Sequence, residues 1–471
     1  MAASLSPNPS PASGRGEQSE PLRGFHLKSS AQKNVAVIGA GWAGCAAAVR
    51  LTQLGHRVSL YEAARTLGGR ARRVEVDGKI IDNGQHILLG AYRETLQLMR
   101  SIGINERDHW LRLPLQMRYP TGTGGMDFLS SKLPAPWHIL LALWRATGLA
   151  REDKLALVRF SSAARWMDWR LDTDCSVAEL LQRFDQTPRL CKLMWQPLCI
   201  AALNTPPERA SAQVFLQVLR DSLGAKRAAS DMLLPRCDLS ALFPQHAAAY
   251  VAAQGGSVHT GCAVQGLRQT TTGWQLTAGT ANLAVSCDAV IIATPPDRAS
   301  KLLAALEADT LDLRKQLNEF TYEAITTCYL QYHADFRLAL PFMALLDDPS
   351  TNSWGQFVFD RGQLQPQDAG LLSVVISLPN AALAAGRAIL TSQVSQQLAL
   401  AFNIPVLSEP LWSAVITEKH ATFSCRPALR RPDNPTGLPG LLLAGDYTAG
   451  EYPATLESAV RSGLRAASLV Q

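Results

Sequence analysis

The sequence predicts an α/β protein, and three observations lead to that fold class. The apolar run at residues 35–38 is followed by a glycine-rich turn and an alanine-rich segment of helical character. Short apolar runs of the same kind return at 288–293 and at 440–444. Continuous runs of this length are typical of buried parallel strands. The pattern therefore predicts one parallel sheet assembled from distant parts of the chain.

The glycine-rich turn has the spacing of a dinucleotide site, Gly39-Ala-Gly41-Trp-Ala-Gly44. Gly39 lets the chain turn sharply, Gly41 lets a pyrophosphate approach the backbone, and Gly44 lets the helix pack close to the strand. Backbone N–H groups at the start of that helix favour negative charge. Glu62 lies eighteen residues past Gly44, which suits a carboxylate that accepts hydrogen bonds from an adenosine ribose. The unit predicts a bound dinucleotide without a 2′-phosphate.

The segment Leu67-Gly68-Gly69-Arg70 completes this unit. Gly69 and Arg70 favour FAD over a nicotinamide cofactor. The predicted fold is therefore α/β, with a Rossmann-like FAD-binding domain. That domain is discontinuous, because its strands return after long interruptions.

The remaining patterns divide the chain into four kinds of segment. The predicted segments are a disordered tail at 1–33, the FAD-binding domain at 34–133, 225–320 and 425–471, a helical insertion at 134–224 that faces substrate or membrane, and a mixed-sheet substrate domain with a helix at 321–424. Within them, Asp77-Gly78 predicts a hairpin turn. Residues 387–402 have the pattern of a helix.

Composition excludes several classes of protein. Hydrophobic residues make up 47% of the 471 residues, charged residues make up 18%, and the net charge is +6. The mild charge and the absence of a basic cluster argue against nucleic acid as a partner. Nine cysteines without a C-x-x-C pair argue against a zinc site or a disulfide framework. We expect no metal ion and a cytoplasmic location.

Three motifs together resemble the FAD-dependent amine oxidase and phytoene desaturase superfamily. They are the glycine motif with Glu62 and Gly68-Gly-Arg70, the run Val290-Ile-Ile-Ala-Thr-Pro-Pro, and Gly445-Asp446 followed by the pattern at 454–463. Two further segments narrow the resemblance. Asp82-Asn-Gly-Gln-His-Ile-Leu-Leu-Gly-Ala-Tyr92 and the segment 195–207 resemble the squalene-associated FAD-dependent desaturases, the hydroxysqualene dehydroxylase family.

This resemblance implies a full set of cofactor contacts. They are Gly39, Gly41 and Gly44 at the FAD pyrophosphate, Glu62 at the ribose, Gly69 and Arg70 beside the pyrophosphate, Val264 at the adenine, Asp446 at the ribityl chain or as a helix cap, and Leu456 and Glu457 near the isoalloxazine. Simpler alternatives stay open. Asp446 is then only a cap, Arg70 a surface arginine, Val264 a core residue and Glu457 a solvated helix position.

The resemblance also implies a reaction, the reductive removal of the hydroxyl of hydroxysqualene to give squalene. Departure of the hydroxyl as water requires a proton donor. The candidates are His86 and Tyr447, because both lie on loops expected to reach the flavin. His86 is the preferred donor, with a structural role in the loop 82–90 as its alternative. Tyr447 is expected to be mainly an aromatic wall.

The implied substrate, a long apolar isoprenoid, requires an apolar pocket. In the insertion, Trp137, Leu140, Leu141 and Trp144 recur at helical spacing. One hypothesis is that this face enters a membrane interface, with the protein peripheral on the inner face of the cytoplasmic membrane. The alternative is that the stripe is domain core. Other enzymes of the squalene and hopanoid pathway are candidate partners.

Three other functions remain open on the same scaffold. The first is a carotenoid or phytoene-type desaturase, which works in the oxidative direction. The second is a polyamine or amino-acid oxidase, which needs charged anchors for its substrate. The third is a flavin-bound scaffold for neighbouring pathway enzymes, without turnover of its own.

Overall fold

The computed structural model describes residues 32–279 and 283–470. Of the predicted tail, 1–33, all but the last two residues lie outside the described residues. Residues 33–471 form a single unit by their contacts, with no division at the predicted domain boundaries. Those boundaries therefore stay predictions.

The strands are numbered in chain order. They are β1 (Asn34–Ile38), β2 (Arg57–Tyr61), β3 (Arg73–Val76), β4 (Lys79–Asp82), β5 (Leu88–Leu89), β6 (Trp110–Leu113), β7 (Gln116–Arg118), β8 (Asp127–Leu129), β9 (Met232–Pro235), β10 (Ser257–His259), β11 (Val264–Thr270), β12 (Gly273–Ala278), β13 (Leu283–Cys287), β14 (Ala289–Ile292), β15 (Tyr322–Gln331), β16 (Phe342–Ala344), β17 (Phe357–Asp360), β18 (Leu371–Ser377), β19 (Trp412–Phe423) and β20 (Leu441–Leu443).

The α-helices are numbered in the same way. They are α1 (Trp42–Gln53), α2 (Arg93–Ser101), α3 (Glu106–His109), α4 (Trp137–Arg145), α5 (Arg151–Trp166), α6 (Val177–Arg183), α7 (Pro188–Leu190), α8 (Gln196–Leu203), α9 (Ala212–Ser222), α10 (Leu239–Leu242), α11 (Pro244–Ala253), α12 (Pro296–Leu303), α13 (Leu311–Asn318), α14 (Asn380–Ala384), α15 (Arg387–Phe402) and α16 (Leu456–Ser468).

A five-stranded parallel sheet forms the centre of the nucleotide-binding part, in the order β10-β2-β1-β14-β20. Strands β14 and β20 are buried along their whole length, as expected of parallel strands covered on both faces. The three apolar runs of the sequence are therefore β1, β14 and β20. This confirms the predicted α/β class and the return of distant segments to one sheet.

Two helices with small side chains pack closely beside this sheet. Helix α1 lies against α16, the last helix of the chain. A Cβ atom on Gly463 of α16 would lie 2.2 Å from the carbonyl oxygen of Ala43 in α1. The close approach therefore requires glycine at this position. It holds the last helix against the helix that follows the glycine-rich turn.

The second large sheet has the order β16-β17-β18-β15-β19. Every pairing in it is antiparallel, whereas the sequence predicts a mixed sheet. The chain between β16, β17 and β18 contains no α-helix of the kind that usually connects parallel neighbours. The predicted hairpin is present as β3 and β4, with Asp77 and Gly78 at positive φ in its turn.

The insertion at 134–224, which the structure describes throughout, is helical and contains α4 to α9. Its inner side chains join the largest apolar cluster of the protein, together with residues of the antiparallel sheet. In the described ranges, no helix combines the length and apolarity needed to cross a membrane.

A buried ion pair joins the end of β4, in the β3–β4 hairpin, to the antiparallel sheet. Asp82 lies 3.3 Å from Arg361, and both side chains are almost completely buried. Arg361 also contacts Asp368 at 2.8 Å, while the hydroxyl of Tyr329 donates to the carbonyl of Asp82. Burial raises the pKa of Asp82 to about 6, although Arg361 and the amide of Leu239 act in the opposite direction. The network anchors the start of the loop 82–90.

We expect Arg361→Met to lower the free energy of unfolding by about 3–5 kcal/mol at neutral pH, because two buried carboxylates lose their cation. The variant raises the folded-state pKa of Asp82 further above its unfolded value. The deficit should therefore grow as pH rises from about 5 to 8. Urea denaturation across this range measures it. Arg298→Met, at an exposed arginine, should change stability by less than about 0.5 kcal/mol, and an equal effect of both variants would contradict the assignment.

Candidate active site

The glycine-rich turn between β1 and α1 leaves no room for side chains at two of its glycines. Gly39 has a φ of 103°, and a Cβ atom there would lie 2.6 Å from the carbonyl oxygen of Ala293. A Cβ atom on Gly44 would lie 1.8 Å from the carbonyl oxygen of Gly39. Gly41 is different, because its Cβ would meet only the Cα of Gly69, at 3.8 Å. The protein itself leaves the space beside Gly41 open.

The N-terminus of α1 is suited to an anion. Gly41 is the N-cap residue, and no side chain caps the helix. The first turn contains no acidic residue. Its amides and the helix dipole are therefore available to a phosphate group placed over Gly41.

Glu62 follows β2 directly and fixes the turn. Its carboxylate accepts hydrogen bonds from the amide of Ala40 at 2.8 Å and from that of Ala64 at 2.9 Å. A carboxylate has about four acceptor positions, so acceptor capacity for a ribose remains. The amide of Cys262 donates to the carbonyl of Glu62 at 2.8 Å. Val264, at the start of β11, is two positions after Cys262 in the chain, so β11 begins near Glu62.

Arg70 and Asp446 are 376 residues apart and form an ion pair of 2.6 Å. Asp446 comes shortly after β20 and is buried, whereas Arg70 is partly exposed. Arg70 also donates to the carbonyl of Ala421 in β19 at 3.0 Å. Gly69 lies against Gly41, so the next residue, Arg70, is close to the open space over the turn. The structure brings together residues predicted from both ends of the chain.

Glu457 is buried at the start of α16, where its carboxylate has protein partners. Its carboxylate is fully buried and accepts from the amide and hydroxyl of Thr95 at the start of α2. Arg461 donates to it at 2.7 Å. The side chain thus joins α16 to α2. Leu456 and Glu457 are the first two residues of α16, so any contact that they make with a cofactor would lie at this end of the helix. The alternative of a solvated position is wrong, because none of the side chain is exposed.

His86 lies in the loop 82–90 with its Nδ1 atom 2.9 Å from the carbonyl oxygen of Gly84. A carbonyl only accepts, so Nδ1 carries the hydrogen of the neutral ring. The remaining nitrogen, Nε2, is then an acceptor. Burial lowers the pKa of His86; the hydrogen bond to Gly84 opposes this, and the charge of Arg70 adds to it. In its neutral form His86 has no proton to donate from Nε2.

Tyr447 is buried, and its hydroxyl has no hydrogen-bond partner among the described residues. Its ring packs edge-on against Phe320, with centroids 6.0 Å apart. A Cβ atom on Gly445 would lie 2.3 Å from this ring, so the preceding glycine is required for its placement. Burial raises the pKa of Tyr447 above its ordinary value, which keeps the phenol protonated.

The segment that follows α8 meets the antiparallel sheet near Tyr447. Asn204, with a φ of 45°, donates to the hydroxyl of Thr422 at 3.0 Å. The amide of Cys425 donates to the hydroxyl of Thr205 at 3.0 Å. The Oδ1 atom of Asn204 and the hydroxyl of Ser424 are buried without partners among the described residues. No sequence motif marks Ser424 or Arg361. The structure singles out Ser424 by its unpartnered hydroxyl and Arg361 by its buried ion pair with Asp82.

These features fit FAD. The open space over Gly41 and the uncapped helix suit a pyrophosphate, and Glu62 suits the adjoining ribose. Tyr447 directly follows Asp446, and its buried hydroxyl has no partner among the described residues. The polar ring system of a bound flavin would give this hydroxyl a hydrogen-bond partner. Arg70 would lie beside a bound pyrophosphate, and Asp446 already balances part of the positive charge of Arg70.

Comparisons with known proteins agree with this site. The model of the flavin containing amine oxidoreductase family matches residues 42–471. Hydroxysqualene dehydroxylase from Rhodopseudomonas palustris is 30% identical, over 93% of this chain and 98% of the relative. Zeta-carotene desaturase from Synechocystis is 23% identical, over 93% of this chain and 96% of the relative. The crystal structure of an oxidoreductase from Methanosarcina mazei shares the fold, with a TM-score of 0.67 at 15% identity, over 92% of this chain and 99% of that one.

The match to the family model covers most of the chain, and the dehydroxylase relatives align over nearly their full length. Both findings agree with the resemblance drawn from the sequence motifs. The protein is an FAD-dependent oxidoreductase that belongs to the flavin containing amine oxidoreductases and, among them, to the hydroxysqualene dehydroxylase family.

Proposed function

We propose that this protein removes the hydroxyl group of hydroxysqualene reductively and releases squalene. The observation that carries the proposal is a buried phenol, Tyr447, beside the predicted flavin contact Asp446 and without a hydrogen-bond partner in the described chain. The dehydroxylase relatives, at up to 30% identity, support the same reaction.

In this reaction a C–O bond breaks, a C–H bond forms, and the oxygen leaves as water. FAD in its reduced form supplies the hydride. The chain has to bind the cofactor, exclude water and provide a proton to the leaving oxygen. The electron source of the reduced cofactor is a separate reductant.

Tyr447 is the better candidate for the proton donor. Its raised pKa keeps the hydrogen in place at neutral pH, so the phenol is able to donate it to the leaving oxygen. His86, in contrast, is held neutral by burial and uses its only hydrogen on Gly84. Its Nε2 atom is suited to accept a hydrogen bond from the substrate hydroxyl and so to orient it.

An apolar substrate fits the surroundings of Tyr447. The ring belongs to the apolar cluster that includes Phe320 and Phe423 and extends into the helical insertion. Such a lining excludes water from a reacting carbon. Aromatic faces also stabilise positive charge that develops when hydroxide leaves.

The test is incubation of the purified protein with FAD, a reductant and hydroxysqualene, with the products analysed for squalene. Phytoene is incubated in parallel without the reductant. Squalene formation with unchanged phytoene supports the proposal. Desaturation of phytoene without squalene formation would replace it by the desaturase function. A flavin spectrum with no turnover of either compound would indicate a scaffold for other pathway enzymes.

A peripheral position on the inner face of the cytoplasmic membrane suits this proposal, because squalene and its hydroxylated precursor are nearly insoluble in water. Transfer from the enzyme that forms hydroxysqualene would then take place in direct contact or through a membrane. Other squalene-pathway enzymes are therefore the protein partners that we propose.

Gly41→Ala should weaken FAD binding by about tenfold or more, roughly 1.4 kcal/mol, because the added methyl group occupies the space left for the pyrophosphate. The fold should persist, since the nearest atom would be 3.8 Å from the new Cβ. The measurements are the flavin-to-protein ratio and the Tm of the flavin-free protein. Gly450→Ala, at an exposed glycine, should keep both values, and full flavin content in Gly41→Ala would contradict the assigned pyrophosphate position.

Tyr447→Phe should lower kcat by about 10²–10⁴-fold while the flavin content stays unchanged, because only the hydroxyl is removed. His86→Gln is the matched comparison and should have the smaller effect on kcat. Single-turnover oxidation of the reduced enzyme by hydroxysqualene measures the chemical step directly. Full activity of Tyr447→Phe together with an inactive His86→Gln would return the donor role to His86.

The pH dependence separates the same two groups. The pKa of Tyr447 is raised, so a rate that needs its protonated form should stay level between about pH 6 and 9. The pKa of His86 is lowered, so a rate that needs the imidazolium would fall as pH rises through a value below about 6.5. A profile of kcat against pH, corrected for flavin loss, distinguishes them.

A further inference from the structure

The outer surface of the helical insertion exposes large apolar side chains. On α4, Trp137 and Trp144 are 62% and 74% exposed, and Leu140 between them is 39% exposed. These residues share one face of the helix, since they are three and four positions apart. The opposite face, with Ala142 and Leu143, is in the core. The alternative that this stripe is domain core is therefore wrong for both tryptophans.

Helix α5 continues this surface. Leu155 is 62% exposed and Trp166, at the end of the helix, is 89% exposed. The ammonium group of Lys154 donates to the carbonyl oxygens of Trp144 and Ala146, so the start of α5 lies at the end of α4. We call the exposed faces of α4 and α5 the α4–α5 surface.

Positive charge surrounds these apolar side chains. Lys132, Arg145, Arg151, Arg159 and Arg165 are exposed, and none of them forms an ion pair within the part of the chain that the structure describes. The acidic residues Glu152 and Asp168 lie on the same segment, so cations exceed anions there. A large apolar surface bordered by cations is uncommon on a protein that has no partner for it.

We propose that the α4–α5 surface binds the anionic surface of a lipid bilayer. Tryptophan is the residue most suited to the interface between headgroups and acyl chains, and arginine and lysine bind anionic headgroups. The absence of a membrane-spanning helix among the described residues limits this contact to the interface. The inner side of the insertion belongs to the apolar cluster that includes Tyr447. Its outer side would then contact the lipid. The proposal does not depend on which isoprenoid the enzyme uses.

The test is co-sedimentation of the FAD-loaded protein with vesicles at low salt. One vesicle type is pure phosphatidylcholine, and the other contains about one third phosphatidylglycerol. We expect stronger binding to the anionic vesicles and weaker binding when salt is raised. The triple variant Trp137→Ala, Trp144→Ala and Trp166→Ala should bind at least about tenfold more weakly, since each tryptophan loses its buried area. Replacing Arg145, Arg159 and Arg165 by Gln should reduce binding roughly fivefold for each charge, on anionic vesicles only.

The matched control is a triple variant at exposed apolar residues outside the insertion, Ile389→Ala, Leu400→Ala and Leu411→Ala. It should bind vesicles like the unmodified protein. Flavin content and the circular dichroism spectrum confirm that all variants are folded.

Three results would overturn the proposal. The first is no binding of the unmodified protein to either vesicle at low salt. The second is unchanged binding of the tryptophan variant. The third is a dimer in sedimentation velocity that the tryptophan variant converts to a monomer, because the surface would then join two copies of the chain. Each result is independent of turnover, so failure of the proposed reaction leaves this test unaffected.

Discussion

The cofactor site depends on the parallel hydrogen-bonded ladder that joins β1 to β2 on one side and to β14 and β20 on the other. In a parallel sheet the carboxyl ends of neighbouring strands meet at one edge, which is where such folds bind their ligands. Here that edge holds Gly39 after β1, Glu62 after β2 and Asp446 shortly after β20. Loss of any one pairing would separate groups that act on one cofactor. The Arg70–Asp446 ion pair is a consequence of this alignment.

Close approach of backbones is the second condition of the site. Gly39, Gly44 and Gly463 each lie where a Cβ atom would overlap a carbonyl group, so helices α1 and α16 are held at short distances from their neighbours. Gly41, in contrast to these three, has room for a side chain in the protein without ligand. Packing thus explains three of the four glycines, and the cofactor explains the fourth.

Burial has opposite effects on the two groups considered for proton transfer. It lowers the pKa of His86 and raises that of Tyr447, because in both cases the uncharged form is favoured away from water. An uncharged tyrosine still holds its hydroxyl hydrogen. An uncharged histidine holds one hydrogen, which here is used by Gly84. The chemical roles therefore follow from environment, although the residue types alone favour histidine.

Features that depend on neighbouring residues can be predicted from the sequence alone. It predicts the glycine-rich turn, the buried strands and the helix at 387–402, which α15 matches residue for residue. Tertiary packing alone determines which distant groups meet, as Asp82 and Arg361 do, because a contact across 279 positions leaves no local pattern. It also decided that Trp144 is exposed whereas Trp169 is buried. Helical spacing shows which residues share a face, but only packing determines whether that face meets protein or solvent.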